Sequence, residues 1–175
     1  MRIFWYLRLR LYSLLFGSVK GSGYIGKPIF IKGWSNIFLG EDSRIFPGAR
    51  FEALGKGSIK IGDHFRSGHN LFISTSDNNV YISNFCIFSA NVFIGTQDTS
   101  KNLKDSLDDY DKNWFNKHND GDDVIIGERS FIGYGATILP GTILGKCCIV
   151  GAGAVVKGNY PDNSIIAPPK SETIN

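Results

Sequence analysis

The sequence predicts an all-β chain wound as a solenoid of triangular coils, and three observations carry that prediction. From Ile126 to Val156 an aliphatic residue recurs every six positions, at Ile126, Ile132, Ile138, Leu144, Val150 and Val156. Glycine follows directly at Gly127, Gly133, Gly145 and Gly151, and Pro140-Gly141 supplies the turn in the remaining block. The chain of 175 residues also holds 21 glycines, a turn-dense composition. Neither a helix nor an alternating strand repeats every six residues, so the period describes stacked units that bury their apolar residues against one another. The simplest unit is a short strand plus a tight turn, three of them completing one coil, with the small residue letting the backbone bend.

The length suits a single domain, and 42 % hydrophobic with 20 % charged residues is globular. Cys86, Cys147 and Cys148 form neither an even disulfide framework nor a C-x-x-C zinc spacing, so no metal is expected and a reducing, cytoplasmic compartment is the simplest reading. The net charge of +3 is unevenly spread. Residues 97–123 hold eight aspartates and four lysines, while the rest of the chain carries +7, which suits an anionic cofactor or a phospholipid surface.

Residues 1–20 read as an amphipathic helix. Ile3, Phe4, Leu7, Leu11, Leu14 and Leu15 form one apolar stripe; Trp5, Leu9, Tyr12 and Phe16 form a second, with Arg2, Arg8 and Arg10 between them. Interrupting arginines and the lack of a small-residue cleavage site argue against a signal peptide, and the segment is too short and too charged to span a bilayer. A cap over the open end of the solenoid is one reading. A peripheral membrane contact, with the second stripe on the lipid and arginines at anionic headgroups, is the other.

The β-helix domain is expected over residues 21–166. Its phase is legible at Leu39, Ile45 and Phe51, then at Ile61, Ser67 and Ile73, then at Ile82, Phe88 and Ile94. Ala53–Gly57 and the residues around Asp77-Asn78-Asn79 break the register as turn insertions would. From Gln97 to Asp123 the repeat disappears into a long acidic loop containing Tyr110, Trp114 and Phe115, a length that usually signals function or disorder. Pro161 and Pro168-Pro169 stop the coil, leaving residues 167–175 as an extended tail.

These repeats resemble the hexapeptide-repeat acyltransferases, which fold as left-handed parallel β-helices. The segments RLYSLLFG, GSGYIGKPIFIKG, IFLGEDSRIFPGARFEA, IKIGDHFRSGHN, FIGYGATILPGTILGK and VGAGAVV narrow the likeness to sugar and polysaccharide O-acetyltransferases of the maltose/galactoside acetyltransferase type. The resemblance implies acetyl-CoA as co-substrate, a sugar or glycan acceptor, a homotrimer, and sites in clefts between neighbouring solenoids beneath the protruding loop. Such chemistry needs a base for the hydroxyl proton and N–H groups for the oxyanion.

The family's base is the histidine of a D-H motif at the entrance to the loop. Here the corresponding pair is Asp98-Thr99, and threonine, which does not titrate near neutral pH, cannot replace imidazole. The candidates for that role are therefore His118, near the loop's return; His69 in RSGHN, expected to face outward onto the cleft; and Asp98, if desolvation raises its pKa. His64, in the turn GDHF, reads as a turn residue. The resemblance places the pantetheine arm along Tyr134, Ala152 and Ala154, with Lys157 as a charge for the CoA phosphates, although the family's lysine falls where this chain has Gly158. The family's C-terminal G-x-P-A-K is altered to Ala167-Pro168-Pro169-Lys170. No P-loop lysine-serine, metal cluster or Ser/His/Asp arrangement competes, and the basic residues are too scattered for nucleic acid. The reading is acetyl transfer from acetyl-CoA to a hydroxyl of a sugar or surface-polysaccharide precursor in the cytoplasm, at the inner face of the membrane if the N-terminal contact holds. The alternatives are a catalytically silent ligand-binding or scaffold subunit and an amino-sugar N-acyltransferase.

Overall fold

The computed structural model describes residues 2–97 and 121–168. One helix, α1 (Arg2–Tyr12), precedes twenty short strands that build three parallel sheets. The first sheet stacks Ser18–Val19, Ile37–Leu39, Ile59–Ile61, Val80–Ile82, Val124–Ile126, Ile143–Leu144 and Asn159–Tyr160. The second stacks Tyr24–Ile25, Arg44–Ile45, Arg66–Ser67, Ile87–Phe88, Phe131–Ile132, Ile149–Val150 and Ile165–Ile166. The third stacks Phe30–Lys32, Arg50–Ala53, Phe72–Thr75, Phe93–Gly95, Thr137–Ile138 and Val155–Val156. The chain visits the three sheets in rotation, so each full coil contributes one strand to each face and every strand but those at the sheet ends pairs with the coils before and after it. Ile125 pairs with Ile143, eighteen positions on, which is the three-hexapeptide coil.

The inward positions follow the six-residue phase. Ile25, Ile45, Ser67, Phe88, Ile132 and Val150 stack in register inside the second sheet, and Phe51, Ile73, Ile94, Ile138 and Val156 do so inside the third, all buried. Each such aliphatic side chain contributes about 1.5–3 kcal/mol on leaving water. The register breaks all fall at one corner, between the third sheet and the first. Leu54–Ser58 and Ser76–Asn79 bulge there, and Gln97 and Gly121 meet in an isolated antiparallel bridge at the same corner. Buried Thr96 donates its hydroxyl to the Thr75 hydroxyl just inside that corner, at 3.0 Å, adding a side-chain bond beside the backbone bond from the Thr96 N–H to the Ser74 carbonyl.

The other corners turn through left-handed backbone. Asp42, His64, Phe85, Arg129, Cys147 and Asn163 adopt positive φ at the corner between the first and second sheets, and Asn70 and Asn91 at the next. Asparagine and aspartate tolerate that region better than most side chains. Carboxylate and amide oxygens also accept the N–H groups that corners leave over: Asp63 from Glu41, Asn84 from Asp63, and Asp162 from Lys146.

The helix covers the open end of the solenoid, as the capping reading of residues 1–20 expects. Leu9 and Phe16 are buried on the first coil, Trp5 packs on Tyr24 and Phe46, and Tyr12 packs on Trp34, so the second apolar stripe forms the cap. Arg8 completes the contact by donating to the Ile25 carbonyl at 3.3 Å. The stripe expected on a membrane therefore faces the protein, while the first stripe faces outward. Trp5, Tyr12 and Phe16 find ring partners in Tyr24, Phe46 and Trp34, edge and tilted contacts that leucine side chains cannot make. The solenoid also begins before Gly21, since Ser18–Val19 already pairs with Phe38–Leu39.

Candidate active site

The corner between the second and third sheets brings together His69, Tyr134 and Ala152. His69 lies at the tip of its turn, exposed, with its ring edge against Phe46 at a centroid distance of 5.2 Å. Its carbonyl accepts from the Asn91 N–H at 2.8 Å. The neighbouring Asn70 donates Nδ2 to Asn91 Oδ1 at 2.9 Å, and Asn91 in turn donates Nδ2 to the Tyr134 hydroxyl at 2.6 Å. Tyr134 then accepts the Gly153 N–H on its carbonyl at 2.8 Å, beside exposed Ala152. A polar ridge therefore runs along this corner over four coils, with the imidazole at one end and small residues at the other. Below it, Gly48 has φ +88°, and a Cβ there would run into Asn70 Oδ1, so the ridge needs glycine at its foot.

Beside the ridge lies the outer face of the third sheet. Arg50 sits 4.6 Å from the Phe72 ring centroid and donates to Glu52 at 2.7 Å, and Ser74 donates to the same carboxylate at 3.2 Å. Phe93 packs on Phe72 at 5.0 Å. This aromatic strip ends at the base of the 97–121 segment, where Asp123 accepts from the Asn79 N–H at 2.7 Å. A flat wall bearing a cation and aromatic rings, with a histidine on one edge, can hold an extended ligand along the solenoid and present an imidazole to it.

Asp98 and His118 lie outside the described residues, as does Thr99. Ala154 requires a correction: it is 1 % exposed and belongs to the core, its N–H bonded to Gly151 and its carbonyl to Thr137. The six-residue phase explains this, because the fifth position of each block turns inward, as Leu71, Val92 and Ala136 do at equivalent places. Lys157 stands apart from the ridge, on the corner between the third sheet and the first, where its carbonyl accepts the Tyr160 hydroxyl at 3.3 Å. His64 is the turn residue expected from its sequence: φ is +57°, and its ring stacks on Phe85 at 4.8 Å with Nδ1 3.5 Å from Asp42. Asp42 also pairs with Arg44 and Arg66. Burial alone would raise its pKa, but hydrogen bonds and charge from both arginines outweigh that and hold the carboxyl below its ordinary value of 3.8.

Sequence reasoning missed Asn70 and Asn91. Their signal is a column: Gly48, Asn70, Asn91, Gly135 and Gly153 occupy equivalent turn positions, all at positive φ, and asparagine is the only non-glycine used. A surface concavity of about 760 Å³ lies on the first sheet around Phe38, Lys60, Tyr81 and Lys146, and none of the sequence-predicted site residues lines it.

The repeat and the three-sided solenoid agree with the comparisons. The family described as bacterial transferase hexapeptide (six repeats) matches residues 123–158. A protein of Escherichia coli (strain K12), provisionally named as the lipopolysaccharide biosynthesis O-acetyl transferase WbbJ, is 30 % identical over 150 residues, covering 80 % of this chain and 71 % of that one. The galactoside O-acetyltransferase of Lactococcus lactis is 28 % identical over 129 residues, and the chain spans 56 % of its length. Among solved structures, an aspartate-to-alanine mutant of AntD, an N-acyltransferase from Bacillus cereus, in complex with dTDP and coenzyme A, superposes with a TM-score of 0.76 at 20 % identity, covering 96 % of this chain and 88 % of that one. A maltose O-acetyltransferase from Clostridium difficile 630 does so with a TM-score of 0.56 at 22 % identity, covering 91 % and 69 %. The fold is accordingly the left-handed parallel β-helix, and the chain belongs to the hexapeptide-repeat acyltransferases.

Proposed function

We propose that the protein transfers an acetyl group from acetyl-CoA to a hydroxyl of a sugar or surface-polysaccharide precursor. The observation that carries this is the extent of the likeness to an O-acetyltransferase: it runs over 150 residues, whereas the hexapeptide run alone occupies 123–158. A repeat shared only for folding would match the repeat; this match extends through the irregular coils that build the ridge. In the reaction the acceptor oxygen attacks the thioester carbonyl carbon, its proton passes to a base, and the C–S bond breaks to release CoA as the thiol. Among the described residues, His69 is the exposed imidazole beside this aromatic wall and the candidate to take that proton. Tyr134 and Ala152 border the path of the pantetheine arm, and Lys157 reaches phosphates at the far corner.

A monomer offers His69 on an open edge. Three copies around a common axis would close each edge into a cleft, and the homotrimer belongs to this proposal. Residence in the cytoplasm belongs to it too, supported by the odd number and the spacing of the three cysteines. Thr99 favours a second reading, N-acylation of an amino-sugar, because an amine nucleophile needs less help from a base.

The test combines binding with turnover. Acetyl-CoA should raise Tm, and thiol release should depend on added sugar acceptors, with hydroxyl acceptors outpacing amino-sugars. Single alanine substitutions at His69, His118 and Asp98 then identify the base, whose loss should lower kcat by about 10²–10⁴-fold. No change in Tm at millimolar CoA and no thiol release would identify a silent scaffold instead.

A further inference from the structure

Among the described residues, none covers the face of α1 that points away from the solenoid. Ile3, Phe4, Leu7 and Leu11 are 60–66 % exposed, and Leu14 and Leu15, in the turn that follows, are 83 % and 53 % exposed. At 3.6 residues per turn the four helical residues fall within one continuous stripe, opposite Trp5, Leu9 and Tyr12 on the solenoid, and exposed Leu14 and Leu15 follow it in the turn. Isolated exposed leucines are ordinary; a contiguous run of this kind marks a contact surface.

Charge identifies the partner. Arg8 and Arg10 flank the stripe on its two sides. Residues 1–40 contain six Lys/Arg and no Asp/Glu, so the whole first coil under the helix is cationic. Lys20, Lys27 and Lys32 are exposed on that coil, as are the apolar Ile29 and Phe30. Two copies meeting through this face would bring like charges together, whereas an anionic lipid surface would neutralise them while burying the apolar stripe. The helix has 11 residues, and none of the described helices is long and apolar enough to cross a membrane. An apolar stripe edged by arginines suits a helix lying in the headgroup region.

We infer that the outward stripe of α1 docks on an anionic lipid surface, with Arg10 and the lysines of the first coil meeting the headgroups. The inference is independent of the acetyl-transfer reading, since it rests on the face of the helix that the solenoid leaves open. It also turns the sequence expectation around: the stripe that docks is the leucine-rich one, not the aromatic one.

The test is co-flotation of the full chain with vesicles of phosphatidylcholine, alone or mixed with phosphatidylglycerol, for the wild type and the double variant Leu7→Glu/Leu11→Glu. The wild type should float with the mixed vesicles, less so with the neutral ones and less so at high salt. The double variant should lose at least about tenfold in partitioning, since charge is costly where leucine was buried in lipid. Its Tm and its turnover on a soluble acceptor should stay unchanged, as both leucines are exposed. Leu14→Glu, beyond the helix, provides the same test should the double variant melt early. Equal partitioning of wild type and variants, or no wild-type flotation with anionic vesicles, overturns the inference. So does an assembly in lipid-free solution that Leu7→Glu/Leu11→Glu dissociates, because the face then belongs to a second copy of the chain.

Discussion

Asn91 donates its Nδ2 to the Tyr134 hydroxyl across 2.6 Å, and this bond ties the histidine-bearing part of the corner to the coil that borders the proposed pantetheine path. Because Asn91 also accepts from Asn70 and adopts φ +59°, it serves both the ladder and the turn. The two roles separate by substitution. Asn91→Gly keeps the left-handed turn and loses only side-chain bonds, about 0.5–1.5 kcal/mol each. Asn91→Ala loses the same bonds and adds about 1–2 kcal/mol of backbone strain. Denaturant unfolding should therefore rank wild type above Asn91→Gly above Asn91→Ala. Equal stability of the two variants would mean the turn relaxes without cost.

Tyr134→Phe removes the hydroxyl while keeping the ring. We expect a stability loss of about 1 kcal/mol or less, the bond being exposed. If the ridge lines the acyl-CoA path, KM for acetyl-CoA should rise with kcat nearly unchanged, because a positioning contact contributes equally to ground state and transition state. A kcat loss as large as that of His69→Ala would instead place the hydroxyl at the reacting atoms.

Periodicity made the coils legible well before the perfect run begins. Leu39, Ile45, Phe51, Ile61, Ile73, Ile82, Phe88 and Ile94 all carry the six-residue phase and all point inward. What periodicity does not contain is contact between coils. Asn70 and Asn91 are 21 positions apart and have no local signature beyond a turn-forming side chain. Ala154 looked like a small residue kept for a ligand, but the same phase that identifies the strands sends it into the core. The helix was legible as amphipathic, yet its two apolar stripes are alternatives until a partner surface chooses between them, and that surface is assembled from Tyr24, Trp34 and Phe46, distant in sequence.

Ser67 occupies an inward position between Ile45 and Phe88, 3 % exposed, and its hydroxyl has no hydrogen-bond partner among the described residues. A hydroxyl buried without a partner costs about 1–3 kcal/mol. Ser67→Ala removes it at nearly constant volume, so the variant should gain about 1 kcal/mol, read as a Tm higher by roughly 2–4 °C for a chain of this size. A lower Tm would show that the hydroxyl finds a partner in solution.

The cysteines should separate cleanly toward a thiol reagent at pH 8. Cys147 is exposed, whereas Cys86 and Cys148 are fully buried. Burial also pushes the Cys86 thiol up to about 11, which leaves about one part in a thousand as thiolate at that pH. One equivalent should react rapidly in the native protein and three after denaturation, with Cys147→Ser removing the fast phase. Two fast equivalents would show that the last coils open readily.

Asp42 gives the fold an acid-sensitive contact. Its carboxylate meets Arg44 and Arg66, each at 3.0 Å, and its pKa is held below 3.8 in the folded protein. A depressed carboxylate stabilises the fold fully above its unfolded value and loses that contribution as pH falls through the folded one. Asn tolerates the positive φ at this corner, so Asp42→Asn removes the charge while keeping the turn. At pH 7 the variant should be less stable by roughly 0.5–1 kcal/mol, a modest figure because the arginines are more than a third exposed and solvent screens the pairs. Below pH 3.8 the gap should shrink, as wild-type Asp42 takes up its proton and comes to resemble the amide. Urea unfolding of both proteins across that range reads the difference directly; a gap constant from pH 7 to pH 3 would mean that the arginine pairs contribute nothing and that the amide fails for reasons of shape.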